Sequence, residues 1–90
     1  MNLNDKTIVV TGGGQGLGRA MALNLAKSGA KLALIDVNEE QLQATVALIE
    51  AAGSQAKYYL ANVNNESEVE ATFTKINDDF SGIDGLSNNA

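Results

Sequence analysis

The stretch from Thr11 to Gly18, with the sequence Thr-Gly-Gly-Gly-Gln-Gly-Leu-Gly, constrains the fold of this chain more than any other feature. It follows four β-branched residues, 7–10, which are typical of a short buried strand. A segment with helical periodicity, Arg19 to Ser28, comes after it. Glycines remove the Cβ atoms that keep a ligand away from the backbone, and the first turn of a helix offers N–H groups at the positive end of its dipole. The stretch therefore predicts a loop that binds phosphate or diphosphate.

The spacing of the glycines separates the classes of phosphate-binding loop. A nucleoside triphosphatase loop requires a Lys-Ser or Lys-Thr pair after its last glycine, and none follows Gly18. The dinucleotide fingerprint Gly-x-Gly-x-x-Gly also fails, because Arg19 stands where the third glycine should be. The pattern that fits is Thr-Gly-x-x-x-Gly-x-Gly, starting at Thr11. A flexible glycine-rich turn without a ligand is the alternative.

Four apolar segments are predicted to form strands, with three helical segments between them. The strands are residues 7–11, 31–36 and 56–60, and a fourth that begins in residues 83–87. The second is almost continuously hydrophobic, which predicts burial on both faces. This βαβαβαβ alternation predicts an α/β fold, a parallel sheet with helices on both faces. By analogy with doubly wound folds we expect the strand order 3-2-1-4, with the glycine loop beside the switch point between strands 1 and 4.

The helices are predicted from their apolar stripes and from the signals at their ends. Capping-box patterns open the second helix at Asn38 and the third at Asn65. Gly29 and Gly53 are expected to end the first and second helices. The stripes expected to face the sheet are Leu17, Met21 and Leu25 in the first helix, Leu42, Val46 and Ile49 in the second, and Val69, Phe73, Ile76 and Phe80 in the third.

Composition excludes several classes of function. A net charge of -5 with only six basic residues, which are not clustered, argues against nucleic acid and anionic membranes as partners. Without cysteine or histidine the chain has neither disulfides nor the usual zinc ligands, so no metal site is expected. The N-terminus lacks the pattern of a signal peptide, and no apolar run is long enough to span a bilayer. We therefore expect a cytoplasmic protein.

The glycine motif, together with Asn88-Asn89-Ala90, resembles the short-chain dehydrogenase/reductase family. In that family the cofactor motif has this longer spacing, and the fourth strand ends in Asn-Asn-Ala-Gly. Within the family, the loop followed by Arg-Ala looks most like the 3-oxoacyl-acyl-carrier-protein reductases. The resemblance implies that residues 1–90 are the N-terminal part of an NAD(P)-binding, three-layer Rossmann-like domain, truncated before its catalytic half.

The resemblance implies binding of a dinucleotide cofactor at the glycine loop and at the ends of strands 2, 3 and 4. Asp36 falls close to the distance of about 20 residues after the loop at which a carboxylate accepts hydrogen bonds from the adenosine ribose. A carboxylate there repels the extra phosphate of NADP, so NAD(H) is preferred and NADP(H) remains possible. Asn62-Val63 stands in place of the family's Asp-Val pair, beside adenine, or Asn62 is a plain turn residue. The cofactor-binding residues are expected to be Gly12, Gly14, Gln15, Gly16, Leu17, Gly18, Asp36, Val37, Asn62, Val63, Asn89 and Ala90.

No catalytic residue is expected within these ninety residues. The family's Tyr-x-x-x-Lys pair and serine lie further along, and neither Tyr58 nor Tyr59 is followed by lysine at that spacing. The acidic pairs Glu39-Glu40 and Asp78-Asp79 are interpreted as solvated helix surfaces, and Arg19 as a residue of the helix surface.

Two hypotheses about function remain open, and a third class of protein is less favoured. In the first, the chain is the cofactor-binding N-terminal fragment of an oxidoreductase that moves hydride between nicotinamide and a carbonyl or alcohol, on a small molecule or an acyl carrier, in a homo-oligomer. In the second, it is a stand-alone nucleotide-binding or assembly module without catalysis. A Rossmann-like methyltransferase is the third class, although its loops do not usually have this glycine spacing.

Overall fold

A computed structural model describes residues 2–89 as four parallel strands and three helices. The strand order β3-β2-β1-β4 confirms the predicted α/β fold and the order 3-2-1-4. The elements are β1 (Thr7–Thr11), α1 (Gly16–Lys27), β2 (Lys31–Asp36), α2 (Glu39–Ala51), β3 (Ala56–Leu60), α3 (Glu66–Phe80) and β4 (Gly85–Asn88).

The sheet has a hydrophobic core on each face, which gives the three layers. Leu32 and Leu34 of β2 pack with α1 and α2, whereas Ala33 and Ile35 face α3. All four side chains are completely buried, as the continuous hydrophobicity of this strand predicted. In β1, Val10 belongs to the first core and Val9 to the second. This arrangement brings the carboxyl ends of the four strands, and the glycine loop after β1, to one edge of the sheet.

Helix α1 differs from its prediction at its start and in its buried face. It begins at Gly16, before Arg19, so the end of the glycine loop forms its first turn. The buried residues are Gly18, Ala22 and Ala26, whereas Leu17 is 68% exposed. The prediction that Leu17 faces the sheet was therefore wrong, because the buried residue at the start of the helix is Gly18, one position later. Small residues lie against the sheet because the loop holds the start of the helix close to β1, where a Cβ at Gly18 would overlap the carbonyl oxygen of Gly12.

Helices α2 and α3 follow their predictions closely. The side chains of Asn38 and Asn65 each accept a hydrogen bond from the backbone N–H three residues later, at 3.0 and 3.1 Å. The return bond of a full capping box is not formed at either helix, because Gln41 bonds Gln15 and Glu68 bonds the N–H of Asn62. The buried stripe residues are Leu42 and Ile49 in α2 and Ile76 and Phe80 in α3, with Val46, Val69 and Phe73 partly buried.

Strand β4 is anchored to β1 at both of its ends. Before its first residue, the Asp84 N–H donates to the carbonyl of Thr7, and the Asp84 carboxylate accepts from the Thr7 N–H, both at 2.8 Å. The strand then pairs in register with residues 8–11 of β1.

Glycine ends α1 and α2 as predicted, with φ of +96° at Gly29 and +89° at Gly53.

Candidate dinucleotide site

The glycine loop connects β1 to α1 at the carboxyl edge of the sheet. The N–H groups of Gly12 and Gly13 donate to the carbonyl of Ile35 in β2, at 2.8 and 3.4 Å, which fixes the start of the loop. Gly12 and Gly16 have φ of +67° and +59°, a backbone conformation that favours glycine. Glycine adopts this conformation at both positions without the steric cost of a Cβ.

The N–H groups of the loop divide into two sets. Those of residues 12–14 bond to acceptors of β2, whereas those of residues 15–18 have no acceptor in the part of the chain that the structure describes. The second set lies at the N-terminus of α1, where the helix dipole favours an anion. A Cβ at Gly16 would meet no atom within 4 Å, so this side of the loop is open. The donors and the open space fit the diphosphate of a dinucleotide.

Asp36, at the end of β2, lies against the loop. Its Oδ2 accepts a hydrogen bond from the Gly14 N–H at 3.1 Å, and its Oδ1 accepts one from the Val37 N–H at 2.8 Å. Each carboxylate oxygen can accept a further bond, so Asp36 can still accept from a ribose hydroxyl. The carboxylate is held in place by backbone donors on both of its oxygens.

Asn62 follows β3 and sits in a turn. Its side-chain oxygen accepts from the Asn64 N–H at 2.9 Å, and its carbonyl accepts from the Asn65 N–H at 2.9 Å. Asn62 therefore lies in a turn, and its contact with adenine stays a prediction. A cleft of about 200 Å³ lies between this turn and the glycine loop. Its lining residues are Gly12, Asp36, Val37, Ala61, Asn62, Val63 and Asn64.

The end of β4 is joined to the end of β1 by side-chain hydrogen bonds. The Thr11 hydroxyl donates to Asn88 Oδ1 at 2.8 Å and accepts from the Asn89 N–H at 3.1 Å. The Asn89 side chain donates to the hydroxyl and the carbonyl of Ser87, at 3.0 and 3.3 Å, and to the carbonyl of Thr11 at 3.4 Å. The side-chain amides of Asn88 and Asn89 therefore bond to hydroxyl and carbonyl groups of β1 and β4 beside the loop. The prediction for Ala90 lies outside the described residues.

Arg19 was missed as a residue of this region. Its Nη2 donates to the carbonyl of Gly14 at 2.6 Å, and its Nε donates to the hydroxyl of Thr45 at 2.8 Å. Arg19 therefore joins the loop to α2, and its assignment to the plain helix surface was wrong. The signal in the sequence was Thr45, which shares the apolar face of α2 with Leu42 and Ile49 and, being buried, requires a hydrogen-bond partner.

A family model described as short chain dehydrogenase matches residues 6–90. The chain belongs to the short-chain dehydrogenase family. The match spans every element that forms the loop and its surroundings, so the resemblance inferred from the glycine motif is confirmed.

Curated short-chain dehydrogenase relatives are similar over nearly the whole chain. Levodione reductase of Leifsonia aquatica is 44% identical over 88 residues, covering 96% of this chain and 33% of the relative. The 2,5-dichloro-2,5-cyclohexadiene-1,4-diol dehydrogenase of Sphingobium indicum is 43% identical over 89 residues, covering 99% of this chain and 34% of the relative. The chain thus spans about a third of the length of these two relatives.

Solved structures of the family have the same fold. The crystal structure of an NAD+-bound xylitol dehydrogenase superimposes with a TM-score of 0.96 at 39% identity, covering 100% of this chain and 35% of that one. The crystal structure of levodione reductase gives a TM-score of 0.92 at 43% identity, covering 97% of this chain and 34% of that one. The Rossmann-like arrangement is therefore that of short-chain dehydrogenases, and the xylitol dehydrogenase structure is of an NAD+-bound protein.

Two of the acidic residues predicted to lie on solvated helix surfaces are exposed, and they also accept hydrogen bonds from tyrosines. The Tyr58 hydroxyl donates to Glu39 at 2.9 Å, and that of Tyr59 donates to Asp79 at 2.8 Å. Burial raises the pKa of Tyr59, and its hydrogen bond to the negatively charged Asp79 raises it further. Both tyrosines lie on β3, away from the glycine loop, so these pairs connect β3 to its flanking helices.

Among residues 2–89, no three acidic, histidine or cysteine side chains are grouped so that they could hold a metal ion. None of the helices within that range is both long and apolar enough to cross a bilayer.

Proposed function

We propose that this chain is the cofactor-binding N-terminal part of a nicotinamide-dependent oxidoreductase. The observation that carries the proposal is the set of N–H groups of residues 15–18, which have no acceptor among residues 2–89 and directly follow Gly14, whose own N–H bonds the carboxylate of Asp36. The loop residues would bind the cofactor at its diphosphate, and Asp36 would bind the ribose. These loop residues are Gly12, Gly14, Gln15, Gly16, Leu17 and Gly18. Val37, Asn62 and Val63 would surround adenine, and Asn89 and Ala90 would border the cofactor at the end of β4.

The reaction proposed for the complete protein is hydride transfer between the cofactor and a carbonyl or alcohol. When bound, the nicotinamide ring supplies or accepts the hydride. The residues of this chain would hold the adenine, ribose and diphosphate of the dinucleotide. They would orient the cofactor and contribute no acid, base or nucleophile. The family's catalytic tyrosine, lysine and serine would come from residues beyond these ninety.

The substrate is proposed only as a class. The two relatives described above are named for a levodione and for a chlorinated cyclohexadiene diol. These names favour a small-molecule carbonyl or alcohol over an acyl carrier, and a 3-oxoacyl-acyl-carrier-protein substrate is the less favoured member of the class. A homo-oligomer is proposed for the complete protein.

NAD(H) is the proposed cofactor, with NADP(H) as the weaker ligand. The negative charge of Asp36 is fixed by two backbone donors, so it cannot easily turn away from a phosphate on the adjacent ribose. Gln15 and Val37, where family members that prefer NADP usually place a basic residue, carry no charge.

The test uses the protein made from its complete reading frame. It is titrated with NADH and with NADPH under identical conditions, and binding is monitored by the fluorescence of the cofactor. The expected result is tighter binding of NADH, with ADP-ribose displacing it and S-adenosylmethionine failing to do so. Binding of neither cofactor would refute the proposal. A reading frame that stops at Ala90, with NADH binding retained, would instead favour the non-catalytic nucleotide-binding module.

A further inference from the structure

Arg19 holds one residue of the glycine loop from the side opposite Asp36. Its Nη2 donates to the Gly14 carbonyl at 2.6 Å and to the Gln41 carbonyl at 3.1 Å, and its Nε donates to Thr45 at 2.8 Å. The guanidinium group is planar, so these donors have a fixed relative geometry. The position of the Gly14 carbonyl is therefore set relative to α2.

Thr45 gives this contact a rigid base. The residue is completely buried, and its hydroxyl lies 3.3 Å from the carbonyl of Gly14 and 3.1 Å from that of Gln41. This buried hydroxyl accepts from Arg19 and donates its one proton to one of these carbonyls, and the two bonds hold its rotamer. The carbonyl of Gly14 is thus held against a buried residue of α2.

Gly14 passes this constraint on to Asp36. Its N–H donates to Asp36 Oδ2 at 3.1 Å, and a Cβ at Gly14 would stand only 2.9 Å from the same oxygen. The backbone of Gly14 is therefore pressed against the carboxylate and held at its N–H and at its C=O. Gly14 thus supplies one of the two backbone hydrogen bonds that orient Asp36, and the Val37 N–H supplies the other.

We propose that Arg19 is a positioning residue that sets the preference for NAD(H) over NADP(H) by orienting Asp36 through Gly14. The inference rests on the proposed function, because it requires that the site bind a dinucleotide. The Nε and Nη2 of Arg19 are engaged by protein acceptors. If its Nη1 bound the additional phosphate of NADP, loss of Arg19 would raise the preference for NADH, and that result would overturn the inference. Loss of Arg19 would let Gly14 and Asp36 move, which weakens the ribose contact of NAD(H) and relieves the repulsion of NADP(H).

The experiment compares Arg19→Met with wild type in the complete protein, by titration with NADH and with NADPH. The diphosphate contacts are common to both cofactors, so a general loosening of the loop would weaken both by the same factor. Arg19→Lys keeps a charged donor for the Gly14 carbonyl and is expected to restore part of the preference. Lys27→Met, which removes an exposed positive charge from the last turn of α1, is the matched control. If Arg19→Met does not fold, Thr45→Val removes the hydroxyl acceptor of Arg19 at nearly constant volume.

The expected result is a fall of about tenfold in the preference for NADH in Arg19→Met, a smaller fall in the same direction in Thr45→Val, and no change in Lys27→Met. In an Asp36→Ala background the same Arg19 substitution is expected to change the preference by less than about twofold. The inference would be overturned if Arg19→Met weakened the binding of both cofactors equally, or if its effect on the preference were the same in the Asp36→Ala background. Either result would leave the proposed function standing. Failure of the wild type to bind either cofactor would overturn both.

Discussion

The carbonyl oxygen of Gly12 occupies the space in which a side chain at Gly18 would begin. This contact fixes the distance between the end of β1 and the first turn of α1. Gly18→Ala is expected to destabilise the protein by about 3 kcal/mol, because the obstacle is backbone and cannot rotate away. The measurement is urea unfolding of the variant and of wild type.

Gly53→Ala provides the matched comparison for this substitution. Gly53 has φ of +89° at the end of α2, and a Cβ there would meet no atom within 4 Å. Alanine therefore adds backbone strain without a clash, at about 1 kcal/mol. Equal costs for the two variants would contradict the clash, because Gly18 lies in α1 without the positive φ that strains an alanine at Gly53.

Replacing Asp36 by alanine is expected to weaken NADH binding by about tenfold and to reduce the preference over NADPH. Part of this loss comes from the ribose hydroxyls and part from Gly14, whose N–H loses its acceptor. Asp36→Asn separates the two, since the amide oxygen can still accept from Gly14 but carries no charge to repel a phosphate. Cofactor titration measures both effects, and unchanged affinities in Asp36→Ala would remove the ribose role.

The sequence predicted the elements and their order because each rests on local signals. The Asn65 cap and the continuous apolar run of β2 need no knowledge of the rest of the chain. The buried face of α1 was mispredicted at Leu17, because side-chain size was taken as the guide, whereas contact with the sheet at Gly18 depends on how closely the two backbones approach. The Arg19 contacts join residues on three segments, so only the folded arrangement reveals them.

Asn65→Ala is expected to cost about 1 kcal/mol of stability, because the Glu68 N–H loses the acceptor that starts α3. Asn65→Asp retains an acceptor oxygen and adds a negative charge at the helix N-terminus, so it should be close to wild type. Urea unfolding measures both variants. A loss in the aspartate variant as large as in the alanine variant would contradict the capping role.

The ninety-residue chain, produced alone, is expected to self-associate through β4. Within residues 2–89 this strand has β1 on one side and no strand on the other, and its four residues include no charge or proline to oppose pairing with another copy. Size-exclusion chromatography over a concentration series measures this. Leu86→Lys, which places a charge at an exposed position of the strand, is expected to shift the chain toward the monomer. A wild-type monomer at the highest concentration would contradict the prediction.

The Tyr59 hydroxyl is expected to make stability fall at alkaline pH. Burial, the hydrogen bond to Asp79 and the negative charge of that carboxylate raise its pKa in the folded protein above the ordinary value of about 10. The folded state therefore binds this proton more tightly than the unfolded chain does, so the contribution is complete below pH 10 and is lost as the pH rises beyond it. Tyr59→Phe keeps the buried ring and has no proton to lose, so its free energy of unfolding should fall less steeply above pH 10 than that of wild type. Parallel curves for the two proteins in urea unfolding at stepped pH would show that the Tyr59 proton is not linked to folding.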